Sequence, residues 1–177
     1  MTERTPLSSR RIYEGRVINL RVDEIPKANG GTRLIEVVEH PGGVVVIAMP
    51  APREIVLVHQ YRHPAREMLW EAPAGVIDPG EAPDVAALRE LEEETGYRAE
   101  RISYLWSAYS SPGFCEERFH FFHAEGLTPG AQRLDDIEEI EARSWPLDEA
   151  WDLVTRDRIR DAKTQIALCW AIRYCSP

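Results

Sequence analysis

A cluster of carboxylates marks the part of this chain whose chemistry can be read from spacing. Glu90, Glu93 and Glu94 are spaced i, i+3 and i+4, so on a helix they project from one face. Like charges at that spacing repel by roughly 0.2–0.5 kcal/mol per pair, and a bound cation would relieve the repulsion. Carboxylate oxygens suit Mg²⁺ or Mn²⁺ better than zinc. The spacing therefore predicts a site for a divalent cation.

The residues around these glutamates have the composition of a helix. Residues 84–95 are mostly good helix formers, with Asp84 as the expected N-cap and Gly96 as the expected left-handed residue after the last turn. One face of this helix is predicted to be apolar and to pack on a core. The residues expected on that face are Val85, Ala87, Leu88 and Leu91.

A solvated acidic face is the alternative explanation for the glutamates alone, because the chain carries 30 acidic residues. That alternative does not account for the wider pattern in which they lie. With each residue type near ~7% usage, a chance match anywhere in the chain is on the order of one in a million. The pattern consists of Gly75, Glu81, Arg89, Glu90, Leu91, Glu93, Glu94 and Gly96.

Residues 75–97 resemble the signature of the Nudix hydrolases at all eight of these positions. They depart from it only at Tyr97, where the family has an aliphatic residue that packs rather than reacts. The resemblance implies a loop–helix–loop that holds divalent metal against a diphosphate. It also implies that Arg89 orients the glutamates and that Glu81 braces the loop by hydrogen bonds and contributes to substrate binding.

The same resemblance implies a set of metal ligands. Glu90 and Glu94 are expected to be direct ligands, together with the backbone carbonyl of Ala74. Glu93 is expected to be either a further ligand or the catalytic base. The implied cofactor is Mg²⁺, with Mn²⁺ as an alternative, at two or three ions per site.

Features beyond the signature resemble the ADP-ribose and ADP-sugar pyrophosphatase branch of the family. Pro112 lies sixteen residues beyond Gly96, a spacing that recurs in that branch. The resemblance implies that Glu117, at the end of the same loop, positions or deprotonates the attacking water. It is preferred to Glu93 as the base, because a carboxylate committed to metal is a poor base. Glu116 is expected to be a solvated neighbour.

Four further residues are expected to contact the substrate. Arg62 would reach a phosphate or the terminal ribose, for which a planar guanidinium is suited, and Arg33 is a weaker candidate of the same kind. Ser111 and Gly113 flank the proline of the loop and are assigned to the substrate as well.

The reaction that the resemblance implies is the hydrolysis of ADP-ribose to AMP and ribose 5-phosphate. The substrate class is a small nucleoside diphosphate sugar, and GDP-mannose or another sugar nucleotide is the leading alternative. A dinucleoside polyphosphate or an RNA cap ranks lower. A non-catalytic nucleotide sensor is disfavoured, because such modules usually lose signature glutamates and all of them are present here.

Composition limits the partners and the compartment. The chain has 177 residues and a formal net charge of −9, which disfavours broad binding to nucleic acid or to an anionic membrane. No apolar stretch approaches the 18 or so residues of a membrane span, and the N-terminal residues contain no apolar signal region. The three cysteines show neither disulfide nor metal-ligand spacing. These features predict a cytoplasmic location.

Strand-like and helical patterns alternate along the chain, which predicts a mixed α/β (α+β) fold. Residues 1–40 are expected to form a small antiparallel β segment with a turn at 27–31, and residues 41–177 a Nudix domain. The resemblance implies an α-β-α sandwich around a mixed sheet, and a homodimer in which the N-terminal segments are exchanged. The later elements are predicted as strands at 44–49, 55–60, 102–107, 118–124 and 139–146, and helices at 147–156 and 161–174.

Overall fold

The computed structural model describes residues 5–134 and 139–175. The chain divides into an N-terminal unit, formed by residues 1–42 and 108–118, and a core unit, formed by residues 43–107 and 119–177. The first four residues of the predicted N-terminal segment lie outside the described residues. Within the described ranges, no helix combines the length and the apolar character that a bilayer span requires.

The N-terminal unit contains a three-stranded antiparallel sheet in the order β1-β2-β3. The expected turn is present, with Gly30 and Gly31 at positive φ and the Lys27 N–H donating to the Gly31 carbonyl at 3.0 Å. This turn joins the second strand of the sheet to the third. A second hairpin at Gly15 adds a strand before them, because the Gly15 N–H bonds the Ile18 carbonyl at 3.1 Å. The strands are Ser8–Glu14 (β1), Asn19–Pro26 (β2) and Thr32–Glu39 (β3).

Two sheets form the centre of the core unit. One has the order β7-β4-β9-β8, with β4 parallel to β9 and antiparallel to β7, and the other has the order β10-β5-β6. The predicted later strands are thus confirmed, and the short strands β6 and β7 were not anticipated. The strands are Gly43–Ala48 (β4), Glu54–Arg62 (β5), Glu67–Glu71 (β6), Ala74–Val76 (β7), Arg98–Tyr109 (β8), Arg118–Thr128 (β9) and Ile140–Pro146 (β10).

Helices cover both faces of strand β4, which is buried along its whole length. Its alternate residues Val44 and Val46 share one apolar cluster with Ala87 and Leu91 of the first helix. The intervening side chains point to the other face, and α3 also packs against β4. This arrangement confirms the predicted helix–sheet–helix layering around a mixed sheet. The helices are Pro83–Thr95 (α1), Leu147–Thr155 (α2) and Ala162–Tyr174 (α3).

Two expectations about α1 are wrong. The N-cap is Ala82 rather than Asp84, because the helix begins at Pro83, two residues before the position that an Asp84 cap implies. Val85 and Leu88 are 53% and 40% exposed, whereas the expected Ala87 and Leu91 are buried together with Ala86. The buried face is therefore built largely from small residues, which lets the helix backbone approach the sheet closely.

Candidate active site

Gly75 makes room for the carboxylate of Glu90. It is the central residue of β7, which packs alongside α1. A Cβ added to Gly75 would lie 2.0 Å from both Cδ and Oε1 of Glu90, a separation that atoms cannot adopt. The absence of a side chain at this one position therefore allows the helix carboxylate to lie directly on the strand.

Arg89 is the centre of the hydrogen-bond network on α1. Its Nε and Nη2 donate to the two carboxylate oxygens of Glu81 at 2.9 Å each, as a bidentate pair. Its Nη1 donates to Glu90 at 2.7 Å and to Glu93 at 3.0 Å. The structure thus brings together four of the residues predicted from the signature. Their functional roles stay predictions.

The charges in this network stabilise one another. The hydrogen bond to Glu81 is the main cause that raises the pKa of Arg89, so the guanidinium remains charged throughout the working pH range. In return, Arg89 holds the pKa of Glu81 below its ordinary value against the opposing effect of partial burial. A hydrogen bond from the Asp78 N–H at 3.1 Å adds to that effect and ties Glu81 to its own loop.

Glu94 is hydrogen-bonded to the same strand, β7, at Ala74, the residue before Gly75. Its side chain is almost fully buried, and Oε2 accepts a hydrogen bond from the Ala74 N–H at 2.9 Å. The Val46 N–H bonds the Pro73 carbonyl at 2.8 Å, so Ala74 occupies a non-hydrogen-bonded position opposite Val45. The amide and the carbonyl of Ala74 therefore both point away from β4, on the side where Glu94 lies.

These donors fit a hard divalent cation in their chemistry. Carboxylates from Glu90, Glu93 and Glu94 and an outward carbonyl from Ala74 supply oxygen ligands only, as Mg²⁺ and Mn²⁺ prefer. In the part of the chain that the structure describes, no group of three or more His, Cys, Asp or Glu side chains is arranged so that it could hold a metal ion as it stands. Arg89 holds Glu90 and Glu93 instead, so cation binding would have to share or exchange those hydrogen bonds.

Arg62 makes a contact that the sequence did not suggest. Its Nε and Nη2 donate to the buried carboxylate of Glu71 at 2.7 and 2.8 Å. Lys163, on α3, donates to the same carboxylate at 2.5 Å and to Asp161 at 2.9 Å. The hydrogen bond to Glu71 is the main cause that raises the pKa of Arg62, and the charge of Glu94 adds a smaller effect. Arg62 is therefore close enough to the signature helix to interact with its charge. The Nη1 of Arg62 takes no part in the bidentate pair with Glu71.

Glu117 lies in the N-terminal unit, where its carboxylate approaches the side chain of His40. The imidazole Nδ1 is 3.8 Å from Glu117 Oε1. That nitrogen also accepts a hydrogen bond from the Gly42 N–H at 3.0 Å. The Ser110 N–H bonds the Glu117 carbonyl at 3.1 Å, which closes the loop between β8 and β9. The role of Glu117 as a base stays a prediction.

The same loop contains Glu116. It is exposed, as expected, and its carboxylate also accepts a 2.6 Å hydrogen bond from Arg21 of β2. The remaining substrate candidates are also placed in this unit. Arg33 is exposed on β3, Ser111 accepts two backbone hydrogen bonds in the loop, and Gly113 is exposed with open space where a Cβ would stand. Their contacts with substrate stay predictions.

Comparison with known proteins supports what the geometry indicates. The model of the Nudix domain matches residues 39–166. A methanol dehydrogenase activator of Bacillus methanolicus is 44% identical over 168 residues, 94% of this chain and 91% of that protein. An ADP-ribose pyrophosphatase of Bacillus subtilis (strain 168) is 39% identical over 168 residues, with the same coverage of 94% and 91%.

A solved structure described as an ADP compounds hydrolase superposes with a TM-score of 0.85. It covers 98% of this chain and 95% of that chain at 23% sequence identity, so it shows the shared fold. The family match spans the strand–helix arrangement that holds Gly75, Arg89, Glu90 and Glu94 together. The chain therefore belongs to the Nudix family of hydrolases.

Proposed function

We propose that this Nudix hydrolase cleaves the diphosphate of ADP-ribose, giving AMP and ribose 5-phosphate. The observation that carries the proposal is that two signature carboxylates meet consecutive residues of β7: Glu90 lies directly against Gly75, and Glu94 accepts the Ala74 N–H. This places negative side chains and an outward carbonyl on one short stretch of backbone. The 39% identity to an ADP-ribose pyrophosphatase over nearly the whole chain supports the choice of substrate.

The proposed cofactor is Mg²⁺, with Mn²⁺ as the alternative, at two or three ions per site. Glu90, Glu94 and the Ala74 carbonyl would hold the ions, with Glu93 as a further ligand. When bound, such ions neutralise diphosphate oxygens and lower the pKa of a coordinated water. Arg89 would keep the carboxylates oriented through the hydrogen bonds described above.

The chain's own groups supply the remaining functions in this proposal. Glu117 accepts the proton of the attacking water, and Glu93 is the alternative base. The substrate is bound by Glu81, which fixes the signature loop, and by the residues assigned from the family resemblance. Those residues are Arg62, Arg33, Ser111 and Gly113.

A panel of substrates tests this proposal directly. The purified protein is incubated with Mg²⁺ and with ADP-ribose, ADP-glucose, GDP-mannose or diadenosine polyphosphates, and the products are separated by chromatography. We expect the highest kcat/KM with ADP-ribose, with AMP and ribose 5-phosphate formed in equal amounts. Chelation of the metal with EDTA is expected to abolish turnover, because the diphosphate charge is then left uncompensated.

Other outcomes of the panel would identify the alternatives. A preference for GDP-mannose would overturn the proposed nucleobase and sugar of the substrate, but the reaction would still be hydrolysis of a nucleoside diphosphate sugar. Tight nucleotide binding without hydrolysis of any compound would indicate a sensor and overturn the enzymatic proposal.

We further propose a homodimer in which residues 1–40 are exchanged between subunits and residues 41–177 form the Nudix domain. The N-terminal unit leaves several large apolar side chains exposed, and a small sheet of this kind needs a cover. The exposed residues are Leu7, Ile12, Tyr13, Val17, Ile18 and Leu34.

Sedimentation equilibrium tests the dimer. The wild-type chain is expected to sediment as a dimer, and Leu34→Glu, at a residue that is 69% exposed, is expected to shift it towards monomer. Ile166→Glu on α3 is the matched control, because that residue is 41% exposed in the core unit. A monomeric wild-type protein, or equal dissociation of both variants, contradicts the assignment.

The cytoplasm is the proposed location. All three cysteines, Cys115, Cys169 and Cys175, are free thiols, as expected in a reducing compartment. Nucleic acid and membranes are not among the proposed partners, since the net charge is −9. Fractionation of cells followed by immunoblotting checks the location, and recovery outside the cytoplasm would contradict it.

A further inference from the structure

Thr164, in the first turn of α3, holds the backbone that leads into Ala74. Its side chain is fully buried. The hydroxyl oxygen accepts the Ala72 N–H at 2.7 Å, across 92 residues of sequence. The hydroxyl proton is donated to Asp161 Oδ2 at 2.5 Å. Because a hydroxyl has a single proton, this second bond fixes the direction in which its lone pairs face Ala72.

Three consecutive residues before and at β7 are each attached to a different element. Ala72 is held by Thr164 of α3, and the Pro73 carbonyl accepts the Val46 N–H of β4 at 2.8 Å. The Ala74 N–H is bound by Glu94 of α1. Proline offers no amide of its own, so the Ala72 amide is the point at which α3 fixes the direction of this backbone. The orientation of the Ala74 carbonyl therefore depends on α3 as well as on the signature helix.

The attachment at Thr164 is itself held rigidly. Asp161 caps α3 by accepting the Thr164 N–H at 2.9 Å, and its other oxygen accepts from Lys163. Lys163 continues to Glu71, the residue immediately before Ala72. A largely buried hydrogen-bond network of this kind allows little movement, because breaking a bond of Thr164 or Glu71 would leave a buried polar group without that partner.

We propose that Thr164 is a positioning residue for divalent metal, acting through the Ala72–Ala74 backbone on the Ala74 carbonyl. The proposal rests on the proposed function, in which that carbonyl is a ligand. Hydrogen-bond partners that orient metal ligands typically contribute 10- to 100-fold to metal affinity. Thr164 lies on a helix outside the signature, and no metal-ligand spacing in the sequence points to it.

Binding of Mn²⁺ in the absence of substrate tests the proposal. The free ion is measured by its electron paramagnetic resonance signal during titration of the purified chain. Thr164→Val keeps the shape of the side chain but removes the hydroxyl, and we expect the Mn²⁺ affinity to fall about 10- to 100-fold. Thr164→Ser keeps the hydroxyl and is expected to restore most of the affinity.

A matched control separates positioning from general loss of stability. Leu168 is a fully buried residue of the same helix, and Leu168→Ala should lower the thermal unfolding midpoint by leaving a cavity, without removing the hydrogen bond to Ala72. Thermal unfolding measures this loss for each variant. We expect Leu168→Ala to bind Mn²⁺ like the wild type. Equal weakening in Leu168→Ala and Thr164→Val would overturn the proposal.

The remaining outcomes distinguish the two levels of inference. If the wild type binds Mn²⁺ and folded Thr164→Val binds it equally well, the role of Thr164 is wrong and the proposed function stands. If the wild type binds no Mn²⁺, both fail. If Thr164→Val does not fold, Asp161→Ala is used in its place. That change removes the acceptor of the Thr164 hydroxyl, and it is made at a partly exposed residue. Weakened Mn²⁺ binding in Asp161→Ala supports the proposal, and unchanged binding overturns it.

Discussion

Glu90→Gln and Glu94→Gln are each expected to lower kcat by on the order of 10²–10³-fold or more, because the neutral amide removes charge where the diphosphate must be stabilised. Both variants should stay folded. The glutamine at position 94 keeps a carbonyl oxygen that can accept the Ala74 N–H, and Arg89 keeps its bidentate pair with Glu81. The measurements are kcat with ADP-ribose at saturating Mg²⁺, Mn²⁺ affinity, and circular dichroism. Wild-type rates in both variants would refute the ligand assignment.

The same series decides which carboxylate is the base. A ligand variant loses metal affinity together with rate, whereas a base variant loses rate and keeps metal affinity. Glu117→Gln is therefore expected to lower kcat while Mn²⁺ binding stays unchanged, and Glu93→Gln to weaken Mn²⁺ binding. The reverse pattern would transfer the base role to Glu93.

Gly75→Ala is expected to reduce activity nearly as strongly, although it changes no polar group. The added methyl would lie 2.0 Å from the Glu90 carboxylate carbon, so either the carboxylate or strand β7 must move. A misplacement of about 1 Å at a reacting centre costs on the order of 10²-fold in rate. We expect kcat to fall by that order and Mn²⁺ affinity to fall with it. Kinetics and metal titration of the purified variant provide the measurement.

Gly15→Ala is the matched control for this steric change. A Cβ there would meet the Tyr13 ring at 2.5 Å and the Ile18 carbonyl at 2.7 Å, so it introduces a comparable clash into the hairpin of the N-terminal unit. We expect its thermal stability to fall while kcat stays close to that of the wild type. If Gly75→Ala retained full activity, the close contact between β7 and Glu90 would have no catalytic meaning.

The local features of the signature were predictable from the sequence, because each depends on a few neighbouring residues. Gly96 adopts the left-handed conformation at φ 74°, and its N–H bonds the Glu92 carbonyl, as expected for a helix end. Tyr97, the one departure from the signature, packs against the apolar cluster. The spacing of the glutamates placed Glu90 and Glu94 on one side of α1, where the structure also has them.

Long-range pairings could not be predicted, because no periodicity links their members. Glu71 meets Lys163 across 92 residues, and Arg21 meets Glu116 across 95. The burial of Lys163 could not be predicted either, since a lysine near the start of a helix is normally exposed. The face of α1 was misjudged for a related reason: hydrophobicity alone favoured Val85, whereas close packing on the sheet selected alanines.

The buried carboxylate between two cations has a consequence for acid tolerance. Burial alone would raise the pKa of Glu71, but hydrogen bonds from Arg62 and the charge of Lys163 outweigh it and hold the pKa below its ordinary value. A depressed carboxyl pKa stabilises the native state above the ordinary value, and this contribution is lost only as the pH falls through the depressed one. The ion pairs that Glu71 makes beneath the site should thus persist through mild acidification and keep β6 joined to α3.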